Sequence, residues 1–276
     1  MAPFHAARML SPSSDIISRT ERGIIVSVNR RELNILAVMP GGMQGIEETG
    51  CIGEVVEKRG AKLHWVYKSR DDLLPKSHDA FDGLIVFGGE IGVHEEKFAD
   101  YFRELTGLVR SFHAAGKPIL GSCLGSQTIA HAFGGQARPQ GFFEFGFSDL
   151  DLEPAAENDP LLAGTPATIS LFEMHYDTMT LPKDAVRLMR GREVENQAFR
   201  VGQKTYAFQC HFEATKDIVE FWVARGLRGG GSGFTDAELD AMMAKVASEF
   251  DKLGSGQRAF GEKVVNRWMD LFKDRT

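Results

Sequence analysis

Short hydrophobic runs alternate with longer amphipathic stretches over residues 34–133. The runs predict buried strands at 35–39, 63–67, 81–87 and 118–121. The amphipathic stretches predict helices at 45–58, 96–115 and 127–133. Strands that alternate with helices are typical of right-handed βαβ units. We therefore expect an α/β fold of the flavodoxin-like type, with helices on both faces of a parallel-core sheet and functional groups at the carboxyl ends of its strands.

The pattern changes after residue 142 to short alternating runs that are separated by Pro, Gly and Asp. It predicts additional antiparallel strands at 147–152, 167–172 and 185–189. A hairpin that turns at 201–204 then returns the chain to the sheet, and a helix follows at 216–225.

The last part of the chain has the composition of a linker followed by helices. Residues 229–233 are rich in glycine and predict a flexible linker. Residues 234–276 carry a capping box and apolar positions at helical spacing, interrupted at 254–256, which predicts a helical hairpin. This extension packs either on the main domain, 34–228, or on a second copy of the chain, so a homodimer is left open. We assign no function to the N-terminal arm, 1–33.

The charge balance narrows the range of partners. The chain has 276 residues, a net charge of −6 at pH 7 and no run of lysine or arginine. A nucleic acid or an anionic membrane surface is therefore not the expected partner, and a small-molecule substrate fits better. No apolar segment approaches the roughly 20 residues that cross a bilayer, and the N-terminal region lacks the pattern of a secretory signal. We expect a cytoplasmic protein.

Three cysteines are present, Cys51, Cys123 and Cys210, and no two of them form a CxxC pair. This pattern predicts neither a disulfide framework nor a zinc knuckle. The chain also lacks an HExxH motif. We therefore expect reduced thiols, no metal site and no cofactor. Cys51 and Cys210 are interpreted as packing residues.

Cys123 lies in a different context from the other two cysteines. It stands between Gly121 and Gly125, directly after an apolar run and directly before a helical pattern. A strand that turns sharply into a helix at a Gly-x-Cys-x-Gly sequence is typical of a nucleophile elbow. An isolated cysteine in apolar surroundings is more often inert, but the flanking glycines favour a nucleophile.

A cysteine nucleophile needs a base, and the segment around residue 211 offers one. A free cysteine is only slightly ionised at neutral pH. In an extended segment His211 and Glu213 point to the same face, so the carboxylate can orient the imidazole that activates Cys123. For the oxyanion of the transition state, the N–H of Leu124 and a loop amide at Gly89 are the candidate donors.

Three motifs of the chain together resemble a known family. They are Val-Phe-Gly-Gly at 86–89, the elbow at 121–127, and Phe-Gln-Cys-His-Phe-Glu at 208–213. In this order and spacing they resemble the class I, triad-type glutamine amidotransferase domain, above all the glutaminase half of GMP synthase and its stand-alone homologues. The resemblance covers residues 34–225. Phe-Glu-Phe-Gly at 143–146 and Met-His-Tyr-Asp at 174–177 match two further motifs of that group.

The resemblance implies a role for each matched residue. Cys123 would be the nucleophile, His211 the general base and then acid, and Glu213 the residue that orients it. Gln127 would contact the glutamine substrate, and the loop at Tyr176 and Asp177 would hold its α-amino and α-carboxylate groups. The implied reaction is hydrolysis of the glutamine side-chain amide through a thioester.

The chain departs from the family pattern at three positions. Glu90 replaces a proline after the glycine pair, Phe212 replaces a proline in the third motif, and Tyr176 replaces a glycine of the substrate loop. Glu90 and Tyr176 change the charge or the bulk expected near the pocket. The identity of the amide substrate therefore stays open between glutamine and other γ-glutamyl compounds.

Several functions are compatible with these motifs. No GxxxxGK[ST] phosphate-binding loop is present, so an amidotransferase would pass ammonia to a separate synthetase protein. Alternatives are a free-standing γ-glutamyl hydrolase or peptidase, and a non-catalytic regulatory protein on the same fold. Related folds also use an elbow cysteine in proteases and thiol sensors, where a histidine commonly follows the cysteine. Here Leu124 follows it, which favours the amidotransferase.

Overall fold

The computed structural model describes residues 17–19, 25–27, 31–41, 45–228 and 232–272. The chain divides into two compact units, Met1–Glu32 and Leu33–Thr276. In the first unit, strands β1 (Ile17–Arg19) and β2 (Ile25–Ser27) form a two-stranded antiparallel sheet. The second unit contains all the residues predicted to be functional.

A mixed sheet forms the centre of the second unit. Within the described residues it has nine strands, in the order β4-β3-β5-β6-β11-β10-β9-β7-β8. The strands are β3 (Leu33–Met39), β4 (Ala61–Tyr67), β5 (Gly83–Val86), β6 (Ile119–Ser122), β7 (Ala137–Leu152), β8 (Thr168–Met179), β9 (Ala185–Gly191), β10 (Ala198–Val201) and β11 (Thr205–Phe208). The pairs from β4 to β11 are parallel, and the pairs from β11 to β8 are antiparallel. The predicted fold class is confirmed.

Helices cover both faces of the parallel part of the sheet. The α-helices of the described residues are α1 (Gly50–Lys58), α2 (Ala99–Ala114), α3 (Leu124–Ala132), α4 (Lys216–Gly226) and α5 (Asp236–Asp270). One face packs against α1 and the C-terminal half of α5, and the other packs against α2 and α3. No helix in the described part of the chain is long and apolar enough to span a membrane.

Strand β3 shows why the sequence pattern produces two buried layers. Ile35, Ala37 and Met39 belong to the core on the α1 and α5 side, whereas Leu36 and Val38 belong to the core on the α2 and α3 side. Successive side chains of a strand point to opposite faces, so a continuous apolar run is buried only when both faces are covered. The predicted parallel core follows from this run.

The antiparallel part and the C-terminal helix differ from the prediction in length. β7 and β8 extend over 137–152 and 168–179, well beyond the predicted runs, and their pairing shifts register between Pro139 and Glu144. The hairpin at 201–204 is present between β10 and β11. The break predicted at 254–256 is wrong, because α5 continues through these residues as one helix of 35 residues.

The parallel pairing places three loops next to one another. β5 pairs with β6, and β6 pairs with β11, with Ser122 opposite Phe208. The carboxyl ends of these strands therefore lie at the same edge of the sheet. The residues that follow them are the glycine pair at 88–89, the elbow at 123, and the segment 209–213.

Candidate active site

Cys123 lies at the junction between β6 and α3 in a strained conformation. Its backbone has φ 51° and ψ −111°, a region that non-glycine residues rarely adopt. The predicted elbow is present, but the positive φ belongs to the cysteine and not to its glycine neighbours. A Cβ atom at Gly125 would lie 1.9 Å from the carbonyl oxygen of Val86. That glycine is required because α3 begins against the end of β5.

The structure brings His211 and Glu213 into contact beside the elbow. His211 Nδ1 lies 2.8 Å from Glu213 Oε1, and both residues are buried. Because an ionised carboxylate only accepts hydrogen bonds, Nδ1 carries the proton and Nε2 is left for another partner. The hydroxyl of Ser122 donates to the same Oε1 at 2.9 Å. The two residues meet in a turn that follows β11, not in the extended strand that the sequence predicted.

His211 and Cys123 border the same glycine. A Cβ atom at Gly88 would lie 3.1 Å from His211 Cε1 and 3.5 Å from Cys123 Cβ, so only a hydrogen fits between the loop and these side chains. Burial opposes a charge on His211, but the Cys123 sulfur and the Glu213 carboxylate outweigh it and raise the pKa of His211 well above its usual range. The side chain of Trp222 packs 4.8 Å from the imidazole, measured between ring centroids.

The two predicted oxyanion donors, Leu124 and Gly89, lie next to one another. Leu124 opens α3, and the first N–H groups of a helix have no partner within it. Gly89 follows β5 and packs against the loop after β3, since a Cβ atom there would lie 2.6 Å from the amide nitrogen of Gly41 and 3.1 Å from Leu124 Cδ2. Close packing of the two loops therefore fixes the position of Gly89.

The predicted substrate residues line one cavity of about 420 Å³ together with Cys123 and His211. Gln127 is buried, and its Nε2 donates to the carbonyl of Asp177 at 3.2 Å and to Gln209 Oε1 at 3.0 Å. It therefore links α3 to the end of β8. Tyr176 is 43% exposed at the rim, and the carboxylate of Asp177 lies 3.1 Å from His94 Nδ1.

A buried acidic cluster next to the cavity was not predicted. His175 Nε2 lies 3.1 Å from one carboxylate oxygen of Glu144 and 3.1 Å from one of Glu173. Nδ1 of the same ring lies 3.0 Å from the carbonyl of Asp177, so Nδ1 donates. The cluster consists of residues of the Phe-Glu-Phe-Gly and Met-His-Tyr-Asp motifs and the residue that precedes the second motif. Only the pairing of β7 with β8 brings them together.

Burial and the neighbouring charges shift the pKa values of His175 and Glu173. Burial opposes a charge on His175, yet the two carboxylates raise its pKa to about 10. Burial raises the pKa of Glu173 to about 7. Glu144, Glu173 and His175 each offer one potential metal-ligand atom, and these atoms lie within 4.8 Å of one another, which is close enough to bind a metal ion. An imidazolium between two carboxylates accounts for the arrangement, so we assign no metal to it.

A second unpredicted group of side chains also lines the cavity. Arg225 on α4 bonds Glu48 at 3.0 Å and Glu90 at 2.9 Å. The indole N–H of Trp222 also donates to Glu48 at 3.0 Å. Glu90, the residue that replaces the family's proline, is therefore paired with a cation at the cavity wall. The sequence signal was the acidic residue at position 90, but its partner lies in a helix far along the chain.

The fold and this edge of the sheet define a class of protein: an α/β domain with a buried cysteine at an elbow and a carboxylate-bound histidine beside it. The family model for class I glutamine amidotransferases matches residues 49–218. This chain belongs to that family, as the sequence motifs predicted.

Two sequence relatives agree with this assignment, and a solved structure shares the fold. The chain is 32% identical over 184 residues to the glutamine amidotransferase-like protein YfeJ of Salmonella typhimurium, which covers 64% of this chain and 75% of YfeJ. It is 32% identical over 143 residues to a GMP synthase of Porphyromonas gingivalis, covering 51% of this chain but only 26% of the synthase. The structure of a glutamine amidotransferase from Methylobacillus flagellatus has the same fold, with a TM-score of 0.75, 24% identity, and coverage of 87% of this chain and 96% of that chain.

Proposed function

We propose that this chain hydrolyses the side-chain amide of glutamine through a Cys123 thioester, releasing glutamate and ammonia. The observation that carries the proposal is the position of His211, which Glu213 holds by Nδ1 beside the strained elbow. A thiol next to such an imidazole is the arrangement that nucleophilic acyl transfer requires. The family assignment supports the same reaction class.

The proposed reaction proceeds in two steps. In the first, the Cys123 thiol gives its proton to His211 Nε2 and the sulfur attacks the amide carbon. The N–H groups of Leu124 and Gly89 stabilise the oxyanion, and His211 returns the proton to the leaving nitrogen, so that ammonia departs and a thioester remains. In the second step, His211 takes a proton from water, the hydroxide oxygen attacks the thioester carbon, and the thiol is regenerated with glutamate.

Glu213 and Ser122 keep the imidazole in one orientation during both steps. Oε1 of Glu213 accepts one hydrogen bond from His211 Nδ1 and one from the Ser122 hydroxyl. The carboxylate also stabilises the imidazolium that forms when the thiol is deprotonated. Gln127 is proposed as a contact to the glutamine substrate, and Tyr176 and Asp177 as the loop that holds its α-amino and α-carboxylate groups, because all three line the cavity that contains Cys123.

We further propose that the ammonia passes to a separate synthetase. The chain spans only about a quarter of the P. gingivalis GMP synthase, and about two thirds of a glutamine-hydrolysing GMP synthase component of Methanosarcina acetivorans. Both relatives are described as glutamine-hydrolysing, and the M. acetivorans protein is described as a subunit of GMP synthase. We place the activity in the cytoplasm, where the thiols of Cys51, Cys123 and Cys210, all free in the structure, would stay reduced.

One observation favours a second candidate, a γ-glutamyl hydrolase. The cavity of about 420 Å³ is within the range that accommodates ligands larger than an amino acid, and Phe143, Tyr176 and Trp222 line it. A γ-glutamyl amide with a substituent on nitrogen could use that space. The ammonia-donor hypothesis predicts that the isolated protein turns over glutamine better than γ-glutamyl dipeptides.

The decisive experiment compares the wild-type chain with Cys123→Ala. Glutamate release from glutamine should fall by about 10⁴-fold or more, because the variant has no nucleophile. A glutamine-mimicking electrophile should add its mass to Cys123 in the wild type, with Cys51→Ala as a matched control that still reacts. Unchanged glutamate release from Cys123→Ala would contradict the catalytic role. Good turnover of peptides but not of glutamine would replace the first candidate with the second.

A further inference from the structure

We infer that Gln257 on α5 is a positioning residue for the catalytic base, so that the C-terminal helix of this chain is part of the support of the active site. The inference deepens the proposed function and rests on it for the role of His211. It concerns a helix that the sequence suggested only as an extension.

Gln257 is a polar residue in an apolar interior. It is 1% exposed, and its amide group is hydrogen-bonded at both ends. Its Oε1 accepts a hydrogen bond from the backbone N–H of Phe172 at 2.8 Å, and its Nε2 donates to the carbonyl of Ala214 at 2.9 Å. Buried polar groups are costly when they are unpaired, so these two bonds fix the side chain in one orientation.

Both bonds end on the backbone that holds His211. Ala214 directly follows Glu213, and its own N–H bonds the carbonyl of His211 at 3.1 Å. The other partner, Phe172, accepts a hydrogen bond from the N–H of His211 at 2.8 Å through its carbonyl. Gln257 therefore closes a ring of hydrogen bonds that includes the backbone N–H and carbonyl of His211 and runs from β8 through α5 to the turn after His211.

The turn needs support from outside the parallel sheet. β11 ends at Phe208, so the segment 209–214 runs beyond the strand ladder with β6. Two helices approach it at contact distance. A Cβ atom at Gly50 on α1 would lie 1.7 Å from the carbonyl of Glu213, and one at Gly261 on α5 would lie 3.1 Å from the carbonyl of Phe212. Close approach of both helices leaves the segment little freedom to move.

The chemistry of an amide explains why the residue is glutamine. One end of the side chain must accept from an N–H group and the other must donate to a C=O group. Glutamine does both, whereas methionine of similar length does neither. A glutamate does both only in its protonated form, which burial favours at low pH.

The test combines three variants with a readout that needs no substrate. Gln257→Met removes both hydrogen bonds, Gln257→Glu retains them only when protonated, and Val264→Ala is the matched control. Val264 is a fully buried apolar residue on the same helix, with no polar side-chain group to bond the segment. For each variant we would measure kcat and KM for glutamine, the melting temperature, and the pH midpoint of Cys123 alkylation by iodoacetamide.

The expected result separates positioning from general stability. In Gln257→Met, kcat should fall about 10- to 100-fold with little change in KM, since a small displacement of a catalytic group has effects of this size. The alkylation midpoint, which reports the Cys123–His211 pair, should move upward because the imidazolium is held less firmly beside the sulfur. Gln257→Glu should keep its activity at low pH and lose it as the pH rises. Val264→Ala should lower the melting temperature alone.

Two outcomes would overturn the inference. One is a Gln257→Met protein that melts at a lower temperature but keeps the wild-type kcat and alkylation midpoint. The other is loss of the fold in both Gln257 variants while Val264→Ala folds, which would make Gln257 a purely structural residue. The alkylation arm also separates this inference from the proposed function: a shifted midpoint in a protein that does not hydrolyse glutamine would support the first and contradict the second.

Discussion

At the scale of single residues, the candidate nucleophile has an unfavourable backbone conformation that its surroundings enforce. A positive φ at a non-glycine residue costs about 1–3 kcal/mol. The N–H of Cys123 bonds the carbonyl of Phe208 at 2.8 Å, and the Cys123 carbonyl accepts from the N–H groups of Ser126 and Gln127. The hydroxyl of Ser126 adds a further bond to the same carbonyl at 2.6 Å. These bonds hold the sulfur above the end of the sheet.

The buried cluster beside the cavity gives a pH-dependent prediction for Glu173→Gln. Burial raises the pKa of Glu173 to about 7, above its ordinary value near 4.5. A carboxyl group with a raised pKa contributes its full stability below pH 4.5 and loses it as the pH rises through 7. Glutamine does not ionise, so its contribution does not change with pH. The free energy of unfolding of the variant relative to that of the wild type should therefore rise by up to about 3 kcal/mol as the pH increases from 4.5 to 7.

Chemical denaturation at several pH values measures this difference in the free energy of unfolding. The opposite pH dependence would contradict the prediction. If the wild type gains stability over Glu173→Gln as the pH rises, ionised Glu173 is stabilised by His175 more than it is penalised by burial. The direction of the pH dependence therefore distinguishes a neutral from an ionised Glu173 next to a charged imidazole.

At the scale of elements, the turn from β6 into α3 depends on the absence of side chains. Gly121 approaches the side chain of Ile129, and Gly125 approaches the carbonyl of Val86 on the neighbouring strand. The helix can begin directly above the strand ends only because both positions are glycine. The motif is visible in the sequence. The structure shows why it needs glycine: α3 packs too closely against β5 for a side chain at Gly125.

Gly125→Ala should therefore destabilise the protein by about 1–3 kcal/mol or more, because the added methyl group would lie 1.9 Å from a backbone oxygen. Gly107→Ala in the middle of α2 is the matched control. A Cβ atom there comes no nearer than 3.9 Å to its neighbours, so this change should stabilise the helix by about 0.5–1 kcal/mol. Thermal unfolding of both variants measures the difference. Equal melting temperatures would contradict the packing argument.

Helix α5 shows how tertiary packing overrides a local signal. Gly254 and Gly256 each cost about 1 kcal/mol in a helix, and they led to the prediction of a break. The helix is continuous because apolar residues on both sides are buried: Val246 packs with Phe172, and Phe260 packs in the core beside α1. Helix stability in proteins comes mostly from such packing.

At the scale of the whole molecule, α5 completes the hydrophobic core. Its C-terminal half contributes a set of buried side chains to the layer between the sheet and α1: Phe260, Val264, Val265, Trp268 and Met269. The sequence predicted 234–276 as an extension joined by a linker, and this division stays a prediction about the chain. In the structure, α5 belongs to the second compact unit and contributes to its core.

Truncation after residue 228 tests this dependence. The shortened chain should lose cooperative thermal unfolding and bind a hydrophobic dye, because the apolar face covered by α5 becomes exposed. Deletion of residues 1–30 is the control, since the first compact unit ends at Glu32 and the described cores consist of residues that follow it. A truncated chain that still unfolds cooperatively at the wild-type temperature would contradict the prediction.

The sequence by itself determined the alternation of strands and helices, the family, and the candidate residues Cys123, His211 and Glu213. These features depend on hydrophobic period and on motifs a few residues long, which are local properties. Only the tertiary structure decided that His211 approaches Cys123, because that contact depends on the register between β6 and β11. The His175 cluster and the two hydrogen bonds of the Gln257 side chain likewise join segments distant in the chain. Their bonds form only when separate elements pack together, and no local pattern records that packing.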